Sequence, residues 1–425
     1  MLSYKKKIFI DRAFGSVFAF ILNGLTRLLG LILRRDHGLP KDPKAVIVAK
    51  IIGIGSIVHS GVLCRALKAT FPKTKLIYVT RIASKEFVSH MKYIDEILTI
   101  DDKSLFKMVR STISLVYKMW RLRPELYFDL EVYSSWSSII ATLSLARNRY
   151  GFYRKSTAFR LGLHSHLLFF NTNKYLSDIY LALGNSAGAD GVNNIEGLLN
   201  IKVDERKNIT QYLHQLGVNE DEYVIVNPNA SDLLIERRWP IEKWKLFLEI
   251  ASEVWSNLFF LLVGAPSEKP YVDNIYNCLS KKCLRNIKNI AGQLRLGDYM
   301  ALIEKCRAMI TCDSGPMHIS VALDRPTLSI WGPGNPQHYG TVKRKHRVIY
   351  EPIYCSPCLY HSDFPPCKGD NQCLKRISVN RVLKEFGDLI NIPFYREASS
   401  DDLLKDEKEI ENYKNNKMVL GLVRR

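Results

Sequence analysis

The stretch that decides the fold runs from residue 45 to residue 70 and reads AVIVAKIIGIGSIVHSGVLCRALKAT. Its first part, Ala45–Lys50, is apolar and rich in β-branched residues, which predicts a buried strand. From Ile57 to Thr70 the apolar residues recur with helical spacing, and a turn with two glycines separates the two parts. We therefore predict a strand, a tight turn and a helix, the unit from which parallel α/β sheets are built.

The same alternation continues to residue 130 and restarts near residue 222. In the first half we predict strands at Lys75–Thr80, Glu96–Ile100 and Leu126–Leu130, with a helix over residues 103–121. In the second half we predict strands at Tyr223–Val226, Leu258–Val263, Ile287–Ala291, Ala308–Thr311 and Thr327–Trp331, with a helix over Ile241–Ser256. The predicted fold class is α/β, with two units joined near residues 200–220 and ligands expected at the carboxyl ends of the strands.

The charge balance suggests an acidic partner. The 425 residues include 61 Lys and Arg against 42 Asp and Glu, a net charge of +19. No sequence signature of a nucleic-acid-binding fold is present, so we expect no nucleic-acid partner. An anionic membrane surface and a phosphorylated substrate remain, beside the alternative that the basic surface has no role.

The N-terminal segment, residues 1–35, differs from the rest. Residues 13–33 are mostly apolar and are flanked on both sides by basic residues, and the length approximates a membrane span. Asn23 and Arg27 would be costly in the middle of a span, whereas a helix lying in the membrane plane avoids that cost. We predict a membrane-associated helix and leave three alternatives open: in-plane association, a true span, and simple packing on the protein. No cleavable signal peptide is evident.

The turn after the first strand contains Gly53, Gly55 and Ser56. Glycines let the backbone approach a ligand, and a helix N-terminus favours anions. A dinucleotide site would need a third glycine where Val58 stands and an acidic residue after the second strand, so NAD binding is disfavoured. The plain alternative for Ser56 is a helix N-cap.

Polar clusters follow three strands of the second half. The run Asn227–Ser231 (NPNAS) precedes Arg237 and Arg238, whose forked guanidinium groups suit a diphosphate. Glu268 follows the strand at Leu258–Val263, where a carboxylate can accept hydrogen bonds from ribose or simply favour a helix start. The run DSGPMH begins at Asp313, and its glycine lets amides approach a phosphate or a sugar.

Taken in order, these motifs resemble glycosyltransferase family 9, the lipopolysaccharide heptosyltransferase family. The segments RRWPIEKW, GAPSE, DSGPMHISVAL and WGPGNPQHYG resemble its donor domain, and IVAKIIGIGSIVHSGVLCRALKATFP resembles its acceptor domain. The resemblance covers residues 44–385 and implies the GT-B fold, two Rossmann-like domains facing a cleft. On this basis we expect an acceptor domain at 44–205 and a nucleotide-sugar domain at 218–390. The composition of residues 397–425 separately predicts a charged tail without an apolar face, either disordered or a solvated helix.

The resemblance also implies roles for individual residues. Arg237 and Arg238 match positions at the donor pyrophosphate, and Glu268 matches the residue that holds the ribose. The other implied donor-binding residues are Asn229, Ser231, Asp313, Ser314, Gly315 and His318, and the acceptor-side loop carries Gly53 and Gly55.

One position departs from the family. Most heptosyltransferases carry Gly-Asp where this chain has Gly55-Ser56. That Asp is the expected general base, and serine cannot replace it because the pKa of its hydroxyl is far too high. The best substitute is Glu131, just past a strand of the same domain, whereas Asp129 is expected to turn inward as a structural partner. We predict that Glu131 acts as the base, and Ser56 is the second candidate catalytic residue.

The nine cysteines fall into two groups. Cys355, Cys358, Cys367 and Cys373 cluster late, and the first pair has metal-ligand or redox spacing. Structural zinc, free thiols and a disulfide all remain open for them. The other five are expected to be buried free thiols: Cys64, Cys278, Cys283, Cys306 and Cys312.

These features predict an inverting glycosyltransferase without a cofactor or a required metal. The donor would be a nucleotide diphosphate sugar, the acceptor a lipid-linked or lipopolysaccharide glycan, and the location the cytoplasmic side of the inner membrane. Two rival hypotheses are a binding protein that has lost its base and a nucleotide-sugar epimerase or hydrolase.

Overall fold

A computed structural model describes residues 11–34, 36–230, 235–359, 365, 367, 369–394 and 401–415. The chain divides into two compact units, residues 1–200 (unit 1) and residues 201–425 (unit 2). Each unit is built on one six-stranded sheet in which every strand is parallel to its neighbours.

The sheet of unit 1 has the strand order β3-β2-β1-β4-β5-β6. Its strands are β1 (Ala45–Ala49), β2 (Lys75–Arg81), β3 (Glu96–Ile100), β4 (Leu126–Asp129), β5 (Asn148–Tyr153) and β6 (His166–Phe169). All five residues of β1 are buried. Because side chains alternate between the two faces of a strand, both faces of this sheet must be covered.

The helices of unit 1 are α1 (Ser16–Leu33), α2 (Ile54–Thr70), α3 (Lys85–Val88), α4 (Leu105–Leu122), α5 (Ser135–Leu143) and α6 (Leu176–Asn185). Helices α4 and α5 pack on one face of the sheet, where Leu115 and Ile140 join a cluster with Ile47 and Val79. Helices α2 and α6 pack against each other. Short turns at Asp11–Gly15, Ile82–Ser84 and Lys155–Arg160 complete the unit.

Unit 2 repeats the topology, with the order β12-β11-β10-β7-β8-β9. Its strands are β7 (Tyr223–Asn227), β8 (Phe259–Leu262), β9 (Ile287–Asn289), β10 (Ala308–Cys312), β11 (Thr327–Trp331) and β12 (His346–Tyr350). Its longer helices are α7 (Val203–Leu216), α8 (Ile241–Val254), α9 (Lys269–Asn277), α10 (Leu296–Lys305), α11 (Gly315–Ala322), α14 (Val379–Leu389) and α15 (Asp401–Asn415). Its shorter ones are α12 (Pro336–Tyr339) and α13 (Gln372–Lys375), with 3-10 turns at Ile235–Arg237 and Cys283–Arg285.

Both sheets have the strand order of a Rossmann-like unit, in which the chain reverses its direction of travel between the first and fourth strands. The predicted α/β class is therefore confirmed. Ligands of such sheets bind outside the carboxyl ends of the strands at this reversal. The reversal lies between β1 and β4 in unit 1, and between β7 and β10 in unit 2.

The C-terminal segment differs from the expectation of a tail without an apolar face. Leu403, Asp406 and Ile410 lie on one side of α15 and are buried. Asp406 forms an ion pair with Lys243 of α8, and its other oxygen accepts a hydrogen bond from Val379 N (2.9 Å). The expectation was wrong because the buried side of α15 combines two apolar side chains with one acidic side chain that finds a buried cation.

Candidate active site

The site of unit 1 lies where β1 and β4 end. Ala49 pairs with Asp129 across the two strands, so the residues that follow each strand meet. Glu131 Oε1 lies 2.8 Å from Lys50 Nζ and accepts hydrogen bonds from Ile51 N (2.8 Å) and Ile52 N (2.9 Å). Within the described residues, Oε2 accepts no hydrogen bond. The carboxylate is thus fixed through one oxygen while the other is open for a further donor.

A network of buried charged residues holds the loop that follows β4 in place. Asp129 is fully buried and accepts hydrogen bonds from Arg160 and Ser137, and His164 Nε2 lies 3.2 Å from its Oδ2. Arg160 also donates to the backbone oxygen of Glu131. Burial alone would raise the pKa of Asp129, but the Arg160 guanidinium and His164 hold it below its usual value. The expected inward, structural role of Asp129 is confirmed.

The turn before α2 is built on Gly53, whose φ of +91° lies in the region that favours glycine. Gly53 itself is the N-cap, and the helix begins at Ile54. Gly55 and Ser56 therefore lie inside the first turn of α2, and no side chain caps the helix. The N-cap alternative for Ser56 is wrong, because the glycine conformation starts the helix earlier than the sequence pattern indicates.

Amide and hydroxyl groups organise the site of unit 2. Asn227 pairs with Thr311 across β7 and β10, and its Nδ2 donates to Thr311 Oγ1 and Ser314 Oγ, both at 2.9 Å. Asn229 Nδ2 donates to Asn227 Oδ1 (3.1 Å) and to Val263 O (2.8 Å). Ser314 precedes α11 but makes no capping hydrogen bond. The N-terminal amides of α11, which begins at Gly315, thus remain available to an anion.

Two charged residues and a histidine adjoin these groups. Arg237 Nη1 lies 3.6 Å from Asp313 Oδ2. Burial raises the pKa of Asp313, and Arg237 partly offsets this effect. Burial, with a smaller contribution from Arg237, lowers the pKa of His318 to about 3, so its imidazole is neutral near pH 7. A Cβ on Gly334 would collide with Asp313 Oδ2, so a larger residue at this position would displace the carboxylate.

Three further residues were predicted to bind the donor: Arg238, Glu268 and Ser231. Arg238 lies with its guanidinium 4.2 Å from the ring centroid of Tyr271, and its Nη2 donates to Ala230 O (3.2 Å). Glu268 accepts a hydrogen bond from Ala265 N (2.8 Å), within its own loop. Ser231 lies outside the described residues. The structure therefore joins Asn229 and Ser314 through Asn227, and places Arg237 beside Asp313, the residue that precedes Ser314.

Sequence reasoning missed several residues that shape the two sites. Lys50, Arg160 and His164 in unit 1 were not assigned a role, and neither were Asn227 and Thr311 in unit 2. Their positions at or just beyond strand ends were a usable signal for Lys50 and Asn227. No sequence signal indicated Arg160 and His164, because their partner Asp129 lies about thirty residues earlier in the chain.

The four late cysteines are free thiols, and so are the other five. Cys373 is buried, and burial together with the neighbouring thiols raises its pKa to about 12. Among the described residues, no three of the four late sulfur atoms lie within 4.8 Å of one another, so the geometry does not preform a metal site. The expectation of burial is correct for Cys64, Cys283, Cys306 and Cys312 and wrong for Cys278, which is exposed.

Comparisons with known proteins identify the family. A sequence model of glycosyltransferase family 9 (heptosyltransferase) matches residues 135–367, more than half of the chain. Lipopolysaccharide heptosyltransferase 2 of Salmonella typhimurium is 29% identical over 158 residues, which cover 36% of this chain and 43% of that protein. The match thus spans less than half of that relative. The lipopolysaccharide core heptosyltransferase OpsX of Haemophilus influenzae is 22% identical over 303 residues, 69% of this chain and 80% of that protein.

Solved structures agree in fold. The ADP-heptose lipopolysaccharide heptosyltransferase II of E. coli superposes with a TM-score of 0.65 at 20% identity, covering 82% of this chain and 98% of that one. A family 9 glycosyl transferase from Veillonella parvula superposes with a TM-score of 0.70 at 19% identity, covering 84% of this chain and 99% of that one. The resemblance drawn from the strand-end motifs is confirmed, and the chain belongs to glycosyltransferase family 9, the heptosyltransferase family.

Proposed function

We propose that the protein is an inverting glycosyltransferase that moves a sugar from a nucleotide diphosphate sugar to an acceptor hydroxyl. The observation that supports this most directly is the pair of strand-reversal sites. One carries a fixed carboxylate with an open oxygen at Glu131, and the other carries Arg237 beside the uncapped N-terminus of α11. We propose that the two units face a shared cleft, as in the GT-B fold.

In the proposed reaction Glu131 takes the proton of the acceptor hydroxyl. The resulting oxygen attacks the anomeric carbon on the face opposite the diphosphate, which leaves with the electron pair of the broken C–O bond. Negative charge develops on the leaving diphosphate, and Arg237 and the α11 amides are positioned groups that stabilise it. These groups supply the positive charge, so the proposed mechanism requires no metal.

The donor-binding residues are proposed from the family resemblance and their placement. Ser314 and Gly315 would contact the phosphates, Arg238 would lie beside Arg237 near the diphosphate, and Asp313 would hold the sugar. Asn229 would have to exchange one of its two Nδ2 hydrogen bonds to contact the phosphates as well. Ser231, His318 and Glu268 complete the set, with Glu268 on the ribose. Glu268 would have to exchange its hydrogen bond from Ala265 N for the ribose hydroxyls.

The acceptor and location follow from the relatives and the charge. One solved relative is named as an ADP-heptose heptosyltransferase, and several curated relatives are named lipopolysaccharide heptosyltransferases. We propose a heptose-type donor and a lipopolysaccharide or lipid-linked glycan acceptor. We place the enzyme on the cytoplasmic side of the inner membrane, associated with anionic lipid through α1 and without a nucleic-acid partner.

The experiment that tests this proposal has two stages. Nucleotide sugars, ADP-heptose among them, are first screened for thermal stabilisation, because a ligand that binds the folded state raises the melting temperature. The stabilising donor is then incubated with lipid-linked and lipopolysaccharide core acceptors, and products are analysed by mass spectrometry for mass and by NMR for anomeric configuration. We expect a glycosylated acceptor with an inverted anomeric configuration.

Other products would overturn the proposal. Free sugar or an epimerised nucleotide sugar would indicate a hydrolase or an epimerase. Donor binding without turnover on any acceptor would indicate a binding protein, the alternative that Ser56 at the family Asp position favours.

A further inference from the structure

Helix α1 is attached to unit 1 through its polar residues. Asn23 Nδ2 donates to the backbone oxygens of Phe159 (3.2 Å) and Leu161. Thr26 Oγ1 donates to Gly162 O at 3.0 Å. Asn23, one of the two residues that would be costly at the centre of a membrane span, therefore already has its hydrogen-bond partners in the protein. A spanning orientation would have to break these contacts.

The opposite side of α1 is apolar and uncovered. Ala19 is fully buried and packs with Ile139 and Leu163, whereas most of the other described side chains of the helix are exposed. By length and composition alone, α1 could cross a membrane. Its exposed large apolar residues are Val17, Phe18, Phe20, Ile21, Leu25, Leu28, Leu29, Leu31, Ile32 and Leu33.

Helix α4 has a second uncovered apolar face. Its inner side, with Leu115 and Met119, packs on the sheet of unit 1. Its outer side carries five large apolar residues at intervals of three and four, which places them on one face of the helix. This α4 stripe consists of Phe106, Val109, Ile113, Tyr117 and Trp120, which are between 40% and 74% exposed.

Basic residues run alongside the α4 stripe. Lys107, Arg110, Lys118 and Arg121 each follow a stripe residue by one position and are exposed, and the helix contains no acidic residue. Within the described part of the chain, none of these four forms an ion pair. An apolar face flanked by uncompensated cations is typical of a helix that lies in the surface of an anionic membrane.

The two apolar surfaces lie on the same side of the unit 1 sheet. Helix α5 contacts both α1 and α4, and Trp136 and Leu143 of α5 pack with the core residues beneath each of them. Trp120 Nε1 of α4 donates to Leu143 O at 2.7 Å. The exposed apolar faces of α1 and α4 thus belong to two helices that pack on the same third helix, α5.

We propose that the α4 stripe and the outer face of α1 form one membrane-binding surface, with α1 lying in the plane of the leaflet rather than across it. The proposal deepens the membrane association proposed above by adding α4 as an independent point of insertion. A second copy of the chain fits this face less well, because a symmetric contact would bring the two basic rows of α4 together. An anionic leaflet neutralises them instead.

The test uses the full chain and measures its co-sedimentation with phosphatidylglycerol-containing vesicles and with phosphatidylcholine vesicles. We expect binding to the anionic vesicles that weakens with salt. Phe106→Ser with Ile113→Ser should weaken it roughly tenfold through lost apolar insertion. Lys107→Glu with Arg110→Glu should weaken it by at least about 25-fold, since each of the two surface cations contributes about fivefold.

Matched variants in unit 2 serve as controls. Val203→Ser with Val342→Ser removes two exposed apolar side chains, and Lys281→Glu with Arg285→Glu makes the same change of charge at exposed positions. We expect both to bind vesicles like the wild type. All four double variants should keep the wild-type melting temperature and the wild-type turnover on a soluble acceptor fragment.

Three results would overturn the inference. Wild-type binding by both α4 double variants would show that α4 does not insert, while leaving membrane association through α1 intact. No binding of the wild-type chain to anionic vesicles would remove the proposed membrane association itself, whatever the transferase assay shows. A wild-type dimer in light scattering that the α4 variants dissociate, with vesicle binding unchanged, would assign the stripe to a second copy.

Discussion

In unit 1 the loop that follows β4 is held by a fully buried ion pair, whereas in unit 2 the loop that follows β10 is held mainly by neutral amide and hydroxyl groups, with a longer ion pair between Arg237 and Asp313 beside them. The two loops occupy the same place in the same topology. Asp129 and Arg160 support the first, and Asn227 with Thr311 and Ser314 supports the second.

The difference shows how one topology serves two kinds of chemistry. In unit 1 the buried pair positions the backbone of Glu131, whose side chain is the proposed base. In unit 2 the proposed ligand is a diphosphate, whose charge would be met by the α11 amides and by Arg237, which also pairs with Asp313. Breaking a buried ion pair costs more than losing a neutral hydrogen bond, so the two loops should respond unequally to substitution.

The largest effect is expected from Glu131→Gln. It should cut turnover by about 10²–10⁴, the usual contribution of a general base, because a neutral amide cannot take the acceptor proton. The fold should survive, since the Gln oxygen can still accept from Ile51 N and Ile52 N. Turnover is measured with donor and acceptor saturating, and Glu96→Gln, a carboxylate on the edge strand β3, is the matched control. Full activity of Glu131→Gln would make this residue purely structural.

The next effect tests the supporting networks directly. Asp129→Ala should destabilise the protein by about 3–5 kcal/mol, because it leaves the fully buried Arg160 uncompensated. Asn227→Ala, which removes neutral hydrogen bonds, should cost about 1–3 kcal/mol. Denaturant unfolding followed by circular dichroism gives both values. If Asn227→Ala proved the more damaging change, the contrast between a charged and a neutral support would be wrong.

Donor binding should depend on unit 2. Arg237→Ala should weaken binding of the nucleotide sugar by roughly 1.5–3 kcal/mol, the value of a charged hydrogen bond. Isothermal titration calorimetry measures the affinity, and Arg285→Ala, an exposed arginine of the same unit, should bind like the wild type. An unchanged affinity in Arg237→Ala would remove this residue from the donor site.

Acid should act on the buried histidine of the unit 1 network. Burial lowers the pKa of His164 to about 4, so the folded protein holds it neutral while the unfolded chain takes up a proton near pH 6.5. Its stabilising contribution is complete above pH 6.5 and is lost as the pH falls toward 4. His164→Asn should flatten the fall in unfolding free energy by up to about 1.4 kcal/mol per pH unit in this window. If the unfolding free energy fell equally steeply with pH in both proteins, protonation of His164 would not be the cause of the fall.

Sequence patterns predicted the fold better than the site. Central strands such as β1 and β8 are continuous apolar runs, because both of their faces are covered, and they were found almost to the residue. Strands β5, β6 and β12 were missed. β6 and β12 are edge strands that remain partly exposed, and β5 includes polar residues such as the buried Asn148.

Predicting the site required contacts between residues far apart in the chain, and no local sequence pattern indicates such contacts. The motifs lie in loops at the carboxyl ends of the strands, which parallel strands bring to one edge of the sheet. To predict the contact of Lys50 with Glu131, one would have to know that β1 and β4 are neighbours in the sheet, although β2 and β3 lie between them in sequence. To predict the hydrogen bonds from Arg160 to this loop, one would have to know the path of the chain after β5, which was not predicted.

The smallest effect is expected at Ser56, and it separates the two candidate positions for the base. Ser56 lies in the first turn of α2 and makes no capping hydrogen bond, so Ser56→Ala should change stability by no more than about 0.5 kcal/mol and leave turnover near the wild-type value. Ser56→Asp restores the family residue, and a carboxylate in the first turn of a helix is favoured by about 0.3–1 kcal/mol. If the acceptor hydroxyl lies within reach of both positions, Ser56→Asp in the Glu131→Gln background should recover part of the lost turnover. Ser56→Asn in that background is the matched control, because it has similar size and no basic oxygen. Loss of turnover in Ser56→Ala alone, with the fold intact, would show that the serine takes part in the reaction and that Glu131 is not a sufficient base.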